Sequence, residues 1–225
     1  MENNEQNVHE YIADLIPESK TIFKEMEEYA KKNHIPIISS ESLQFLKILL
    51  LIKHPVNILE IGTAIGYSAL NFCDILNGKC FIDTVEINEK RHKDAEMFIS
   101  ETPYKDNIKL HLSDISDFET EKEKKYDFIF LDAAKGQYKK LYQKFFDNLS
   151  VGGIFITDNV FFHGDTIQKS QLDVKRRNRT IYRRLNEYLK FLMIPDYTQK
   201  TAILDIGDGL TVTIKTSERY IYEEN

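Results

Sequence analysis

The chain of 225 residues lacks several features that would assign it to particular protein classes. Its apolar runs are all much shorter than the ~20 residues that a membrane-spanning helix needs. Its two cysteines, Cys73 and Cys80, are spaced like neither a metal knuckle nor a redox pair. The polar N-terminus, MENNEQNVHE, does not resemble a secretory signal. We therefore expect a cytoplasmic protein without a membrane partner, in which both thiols are buried.

The chain also lacks internal repeats, low-complexity linkers and an overall positive charge. The net charge of −6 argues against a chain that binds nucleic acid over its whole surface. The length and the hydrophobic content of 42% are sufficient for one sizeable core. We predict a single domain over residues 1–225, with N-terminal helices in 1–53 and the core of the fold in 54–216.

After residue 53, short apolar runs alternate with helical segments. The predicted strands are 56–61, 81–87, 108–112, 126–131, 151–157, 200–206 and 210–216. The predicted helical segments are two in 5–33 broken near Pro17, one capped by Ser39 or Ser40, and then 67–77, 89–100, 136–149 and 167–193. The pattern indicates an α/β fold with a doubly wound, mostly parallel sheet. Gly207-Asp208-Gly209 indicates a final antiparallel hairpin.

Residues 58–68, ILEIGTAIGYS, form the most informative local pattern. A strand, a glycine turn and a helix in this order bring a ligand against bare backbone at a helix N-terminus. Gly62 and Gly66 supply the conformational freedom for that turn. Glu60 would disfavour a phosphate but suits an ammonium group. Glu86, at the end of the next apolar run, could accept both hydroxyls of a ribose.

These residues resemble the first motif, Glu60-x-Gly62-x-x-x-Gly66, and the strand-end acid of class I S-adenosylmethionine-dependent methyltransferases. The resemblance implies a Rossmann-like fold and S-adenosylmethionine as cofactor. The further cofactor-binding positions that it implies are Ile38, Thr63, Ser68, Asp114, Ile115 and Asp132.

Polar residues also follow the fourth and fifth predicted strands, in LDAAKGQY and TDNV. The carboxyl ends of parallel strands meet at one edge of a sheet, so Asp132, Asp158 and Asn159 should converge there. Two carboxylates and an amide oxygen are typical ligands of Mg²⁺ or Ca²⁺, and Mg²⁺ is more typical of an active site.

This combination resembles the cation-dependent O-methyltransferases that act on catechol and caffeoyl-CoA. Their motif LD-x-x-K-x-x-Y matches Leu131, Asp132, Lys135 and Tyr138, and their Asp-Asn pair matches Asp158-Asn159. The resemblance implies that Asp132 is a catalytic metal ligand and that Lys135 is the general base. We expect positive neighbours to lower the pKa of Lys135.

One basic segment, KRRNRTIYRR, stands out from the acidic average. Its cations are Lys175, Arg176, Arg177, Arg179, Arg183 and Arg184. We expect Arg176, Arg179 and Arg183 to form one exposed stripe, beginning near the mouth of the site, that binds an RNA backbone. The alternative interpretation is a solvated helix face.

With the length and the Gly207-Asp208-Gly209-Leu210 sequence, this segment resembles the bacterial tRNA 5-hydroxyuridine methyltransferases. That subgroup implies 5-methoxyuridine at the wobble position as product and the tRNA anticodon region as partner. Two other functions stay open, a small-molecule catechol methyltransferase and a non-catalytic, cofactor-binding RNA module. We also expect a homodimer, because relatives often dimerise.

Overall fold

The computed structural model describes residues 8–121, 123–168 and 170–218. Its strands are β1 (Asn57–Ile61), β2 (Phe81–Glu86), β3 (Ile108–Leu112), β4 (Tyr126–Leu131), β5 (Leu149–Thr157), β6 (Gln199–Leu204) and β7 (Leu210–Lys215). They form one sheet in the order β3-β2-β1-β4-β5-β7-β6. Strands β1 to β5 pair in parallel, whereas β7 is antiparallel to both β5 and β6. The predicted Rossmann-like sheet with its C-terminal antiparallel hairpin is confirmed.

The helices are α1 (Val8–Leu15), α2 (Thr21–Lys32), α3 (Ser40–Lys53), α4 (Tyr67–Ile75), α5 (Glu89–Ser100), α6 (Tyr138–Phe145) and α7 (Arg179–Leu192). Of the two candidate caps for the third helix, Ser39 is the correct one, since its hydroxyl accepts a hydrogen bond from the Ser42 amide at 3.1 Å. In the part of the chain that is described, every helix is too short or too polar to span a membrane.

Alternate residues of the central strands enter two separate cores, one on each face of the sheet. Ile58 and Phe128 belong to the core that packs against α2 to α5. Leu59 and Ile129 belong to the core that packs against α6 and α7. Because both faces are covered, the central strands are apolar at nearly every position, which is why they were recognisable as buried runs.

The region 167–193 is less helical than predicted. Regular helix begins only at Arg179, and two short 3₁₀ turns, Gln171–Asp173 and Arg176–Asn178, precede it. Ser170 and Val174 adopt extended conformations at the ends of the first turn, and the Ser170 hydroxyl accepts a hydrogen bond from the Leu172 amide. That local bond offers the backbone an alternative to a helix, so the prediction was wrong before residue 179.

The register of the sheet brings four strand ends to the same level. Ile61 at the end of β1 lies opposite Val85 on one side and Leu131 on the other. Leu131 in turn lies opposite Thr157 at the end of β5. The segments that follow these strands therefore meet at one edge of the sheet.

Candidate active site

A cavity of about 510 Å³ opens at this edge. It is lined by Pro36, Ile37, Ile61, Gly62, Ala64, Val85, Glu86, Ile87, Arg91, Ser113, Asp114, Ile115, Asp132, Ala133, Ala134, Lys135, Gln137, Asn159 and His163. Residues from the ends of β1, β2 and β4 thus share one wall with residues from the loops after β3 and β5. The size suits a small organic ligand with a reaction partner beside it.

The glycine turn after β1 forms the floor of the cavity. Gly62 has a φ of +109°, and a side chain at this position would overlap the carbonyl oxygen of Asp132. Gly66, also left-handed at φ +81°, precedes the first residue of α4. Both glycines are therefore required by the close approach of β1 and β4 and by the turn into the helix.

Glu60 lies behind this turn and is not among the residues that line the cavity. Its buried carboxylate accepts hydrogen bonds from the hydroxyls of Ser68 and Thr84. Burial raises the pKa of Glu60 to about 7, against the opposing effect of those two hydroxyls. Thr63 bonds to the same Thr84 hydroxyl at 2.6 Å, so four of the side chains in and behind the turn form one buried network.

Glu86 is held in the cavity wall by backbone amides. One carboxylate oxygen accepts from the Ala64 amide at 2.9 Å and the other accepts from the Asn88 amide at 2.8 Å. Asp114 is fixed in the same way by the amide and the hydroxyl of Ser116, both at 2.8 Å, and these bonds lower its pKa. Both carboxylates are therefore oriented before any ligand arrives.

The other predicted cofactor positions fall on and around the cavity. Ile115 lines it beside Asp114. Ile38 is buried and does not line it, whereas its neighbours Pro36 and Ile37 do. The segment between α2 and α3 therefore contributes to the cavity wall through Pro36 and Ile37.

The three predicted metal ligands lie together after β4 and β5. The Asn159 amide nitrogen donates to a carboxylate oxygen of Asp132 at 3.2 Å, and the Asn159 backbone donates to Asp158 at 2.7 Å. Asn159 has a left-handed backbone, with φ +57°. Burial raises the pKa of both aspartates, and their mutual repulsion raises that of Asp158 further, to about 7.

This donor set fits a hard divalent cation. The carboxylates of buried Asp158 and half-buried Asp132 repel each other, and a cation between them would remove that repulsion. If the side-chain amide of Asn159 were flipped by 180°, its oxygen would face the cation in place of its nitrogen. Within the described ranges, no group of three or more His, Cys, Asp or Glu residues is arranged to hold a metal.

Lys135 begins a short 3₁₀ turn, Lys135–Gln137, and lines the cavity next to these residues. Its pKa is lowered, as predicted, but burial is the cause and no positive neighbour is needed. The carboxylates of Asp132, Asp208 and Asp158 act in the opposite direction. Its ammonium lies 5.6 Å from the centre of the Phe162 ring. A partly buried lysine of this kind loses a proton more readily than an exposed one.

Asp208 is a site residue that the sequence analysis did not identify. The sequence indicates only a hairpin turn at Gly207-Asp208-Gly209. Its Oδ1 accepts from the His163 amide at 2.7 Å. Its Oδ2 is buried and has no hydrogen-bond partner among the residues that the structure describes. The useful signal was an acid between two glycines, because a turn by itself does not require a charged residue at its centre.

The basic segment does not form the predicted stripe. Arg176 belongs to the 3₁₀ turn before α7, and Arg179 donates back to the carbonyls of Val174 and Leu172, at 3.2 and 3.4 Å. Arg183 is exposed and lies 3.8 Å from Glu187. The stripe was wrong at Arg179, whose half-buried side chain bonds to the preceding backbone instead of facing solvent.

Arg184 is the cation of this segment that reaches the site. Its guanidinium donates to the carbonyl of Gly136 at 3.2 Å, between two residues that line the cavity. The end of the segment, and not its start, therefore touches the rim. The exposed cations Lys175, Arg176, Arg177 and Arg183 lie in the turn and helix beside it.

Known proteins resemble this chain over most of its length. The family model described as O-methyltransferase matches residues 13–216. A caffeoyl-CoA O-methyltransferase from Petunia hybrida is 26% identical over 220 residues, which cover 93% of this chain and 90% of the relative. A tapetum-specific methyltransferase from Arabidopsis thaliana is 29% identical over 205 residues, 87% of each chain.

Solved structures show the same fold. A candidate caffeoyl-CoA O-methyltransferase from Staphylococcus aureus superposes with a TM-score of 0.84 at 32% identity, covering 92% of this chain and 99% of that one. An O-methyltransferase from Bacillus cereus, solved in complex with SAH, has a TM-score of 0.78 at 22% identity, covering 92% and 96%.

Proposed function

This chain belongs to the O-methyltransferase family, and we propose that it transfers a methyl group from S-adenosylmethionine to a hydroxyl oxygen in a reaction that requires a divalent cation. The observation that carries the proposal is the junction of two sets of residues in one cavity. Glu86 and Asp114 lie on one side of it, and Asp132, Asn159 and Lys135 lie on the other.

The cofactor half of the cavity suits S-adenosylmethionine. Glu86 presents a fixed carboxylate for two ribose hydroxyls, and Asp114 presents one for the adenine side. The Bacillus cereus relative binds SAH in the same fold, which supports this assignment. Glu60 does not line the cavity, so it would reach the ammonium group of S-adenosylmethionine only indirectly, through the Ser68 hydroxyl that bonds to its carboxylate.

The other half suits Mg²⁺ held by Asp132, Asp158 and Asn159. When bound, S-adenosylmethionine supplies an electrophilic methyl group, and Mg²⁺ supplies positive charge that lowers the pKa of a neighbouring hydroxyl. Lys135 is the group that accepts the proton of that hydroxyl, since burial already lowers its pKa. The cavity holds both reactants in one orientation, which contributes much of the rate.

We propose a small phenol with two adjacent hydroxyls as the substrate. The names of the relatives from Petunia hybrida and Staphylococcus aureus support a substrate of the caffeoyl-CoA type.

The test is methyl transfer from labelled S-adenosylmethionine to a simple catechol, with EDTA and after Mg²⁺ is restored. We expect transfer that EDTA abolishes and Mg²⁺ recovers. Asp158→Ala should reduce kcat by a factor of about 10³ or more while leaving cofactor affinity within about twofold, because it removes only a metal ligand. Asp173→Ala, which changes an exposed acid outside the cavity, is the matched control.

Full activity of Asp158→Ala, or transfer that EDTA leaves unchanged, would contradict the metal assignment. Cofactor binding without transfer to any hydroxylated acceptor would instead support a non-catalytic binding module.

The second candidate substrate is 5-hydroxyuridine in tRNA, whose 5-hydroxyl and O4 also form an oxygen pair. One observation favours it. Arg184 lies at the rim of the cavity, and the segment that it ends carries the exposed cations Lys175, Arg176, Arg177 and Arg183. A cationic surface that begins at the mouth of a pocket suits an RNA backbone whose base enters the pocket.

The two substrates can be separated with charge variants. Arg176→Glu, Arg177→Glu and Arg183→Glu together should lower transfer to tRNA lacking 5-methoxyuridine by a factor of about 10² or more, and they should spare transfer to catechol. Arg179 is left unchanged because its side chain bonds to the backbone of the preceding turn. Equal activity of this variant and the wild type on both substrates would mean that the basic segment is a solvated face.

A further inference from the structure

The loop after β5, residues 159–164, has an unusual backbone. Asn159, Phe162 and His163 are left-handed, and so is Gly164. Few non-glycine residues adopt this conformation, and a bulky one such as Phe162 does so mainly where the surroundings impose it. The loop carries one proposed metal ligand and the side chain of His163, which lines the cavity. Whatever holds this loop therefore shapes the substrate side of the site.

The turn between β6 and β7, residues 205–209, supplies the contacts that hold it. The Val160 amide donates to the Gly209 carbonyl at 3.0 Å, and the Phe161 amide donates to the Asp208 carbonyl at 2.9 Å. The His163 amide donates to Asp208 Oδ1 at 2.7 Å. Two of these three bonds end on Asp208, and one of them depends on its side chain.

We propose that Asp208 is a positioning residue that fixes loop 159–164 through its carboxylate. Any residue at position 208 would supply the backbone carbonyl that accepts from the Phe161 amide. The bond from the His163 amide, in contrast, requires an acceptor on the side chain of residue 208. His163 is also the last residue of the left-handed run before Gly164, where the backbone has the least other support from this turn.

The turn is itself anchored, which lets it act as a fixed support. The Gly207 amide donates to Glu41 on α3 at 3.2 Å, and a side chain at Gly207 would overlap the hydroxyls of Ser39 and Ser42. The turn is thus pressed between the start of α3 and the loop. A support attached to a helix transmits its position to the loop better than a free turn would.

The packing at Gly209 points to the same role. A Cβ at this position would lie 2.6 Å from the ring of Phe161. The ring therefore sits directly on the glycine backbone, and the loop has no space to move toward the turn. The hydrogen bond from the His163 amide to Asp208 holds the loop to the turn.

The experiment compares Asp208→Ala with Asp208→Asn by amide hydrogen exchange in residues 160–166. The alanine variant lacks the acceptor, so we expect exchange about tenfold faster there. The asparagine variant keeps an oxygen for the His163 amide, so exchange should stay within about twofold of wild type. Unchanged SAH affinity and melting temperature show in each case that the remaining fold is intact.

This inference rests on the proposed function only for its kinetic readout. Asp208→Ala should raise the KM for the methyl acceptor by about tenfold or more and leave the KM for S-adenosylmethionine unchanged, because the loop borders only the acceptor side. The exchange measurement needs no substrate, so it tests the proposal even if the acceptor has been misassigned.

Wild-type exchange in Asp208→Ala would overturn the proposal, and so would equal loss of protection in both variants, which would indicate a role for charge instead of the hydrogen bond. If Asp208→Ala fails to fold, Gly209→Ala replaces it. That change keeps Asp208 but forces Phe161 away, and it should also speed exchange in residues 160–166; unchanged exchange would contradict the positioning role of the turn.

Discussion

Asp83 is a charged residue that lies outside the candidate active site and is almost fully buried. Its carboxylate accepts hydrogen bonds from Lys124 at 2.6 Å, Tyr126 at 2.9 Å and His111 at 2.9 Å. Burial alone would raise the pKa of Asp83, but these three partners outweigh burial and hold its pKa well below the usual value. The network ties β2 to β3 and to the start of β4.

Asp83→Asn should therefore lower the free energy of unfolding at pH 7 by about 1–3 kcal/mol, since the charged acceptor is lost. The folded pKa is depressed, so the stabilisation is complete above the unfolded value of about 4 and is lost as the pH falls through that value toward the folded one. Urea unfolding from pH 7 to pH 3 should show the difference between wild type and variant shrinking. If the difference in unfolding free energy stayed constant over this pH range, the charge of Asp83 would not be its cause. Asp117→Asn, which changes an exposed acid, is the control.

The residues of the site differ in how far the sequence could predict them. Asp132 and Asp158 each follow a buried strand directly, so the rule that parallel strand ends share an edge was enough to bring them together. Asp208 is 45 residues from His163 along the chain. Their contact exists only because β7 returns antiparallel beside β5, and no local pattern encodes that distance.

The cause of the shifted lysine could not be predicted either. Positive neighbours are visible in a sequence as charges, whereas burial is a property of the packed molecule. Lys135 owes its lowered pKa to burial, and its nearest charges are acids that oppose the shift.

At the scale of elements, the sequence predicted strands better than helix ends. A strand covered on both faces appears as an unbroken apolar run, and the observed strand bounds lie within two residues of the predicted ones. Residues 167–178 have a mixture of polar and apolar residues that a helix also tolerates. Side-chain bonds from Ser170 and Arg179 decide their conformation, and such bonds cannot be seen before the chain is folded.

Helix α7 shows that one element can serve two purposes. Its buried face, with Leu185 and Tyr188, belongs to the core on that side of the sheet. Arg184, the residue beside Leu185, contacts the turn that carries Lys135. The helix is therefore fixed in position by packing, and the cation at the rim is fixed with it.

In the whole molecule, the order of the strands separates the candidate site into two parts along the edge of the sheet. The glycine turn and the ends of β2 and β3 form the cofactor part, while the ends of β4 and β5 with the hairpin turn form the part proposed to hold metal and acceptor. Strands β1 and β4 are neighbours, so the two parts meet where Gly62 approaches Asp132.

Cys73 and Cys80 are both buried, as the sequence analysis predicted, and their sulfur atoms are 3.6 Å apart. The chain contains no tryptophan, so unfolding gives no indole fluorescence signal. The reactivity of the two buried thiols can report on unfolding instead. A thiol-reactive dye should label the native protein only at the rate of cooperative opening, and it should label both sulfurs at once in denaturant, which mass spectrometry would follow. Fast labelling of Cys73 alone in native conditions would show that the end of α4 opens independently of the rest of the molecule.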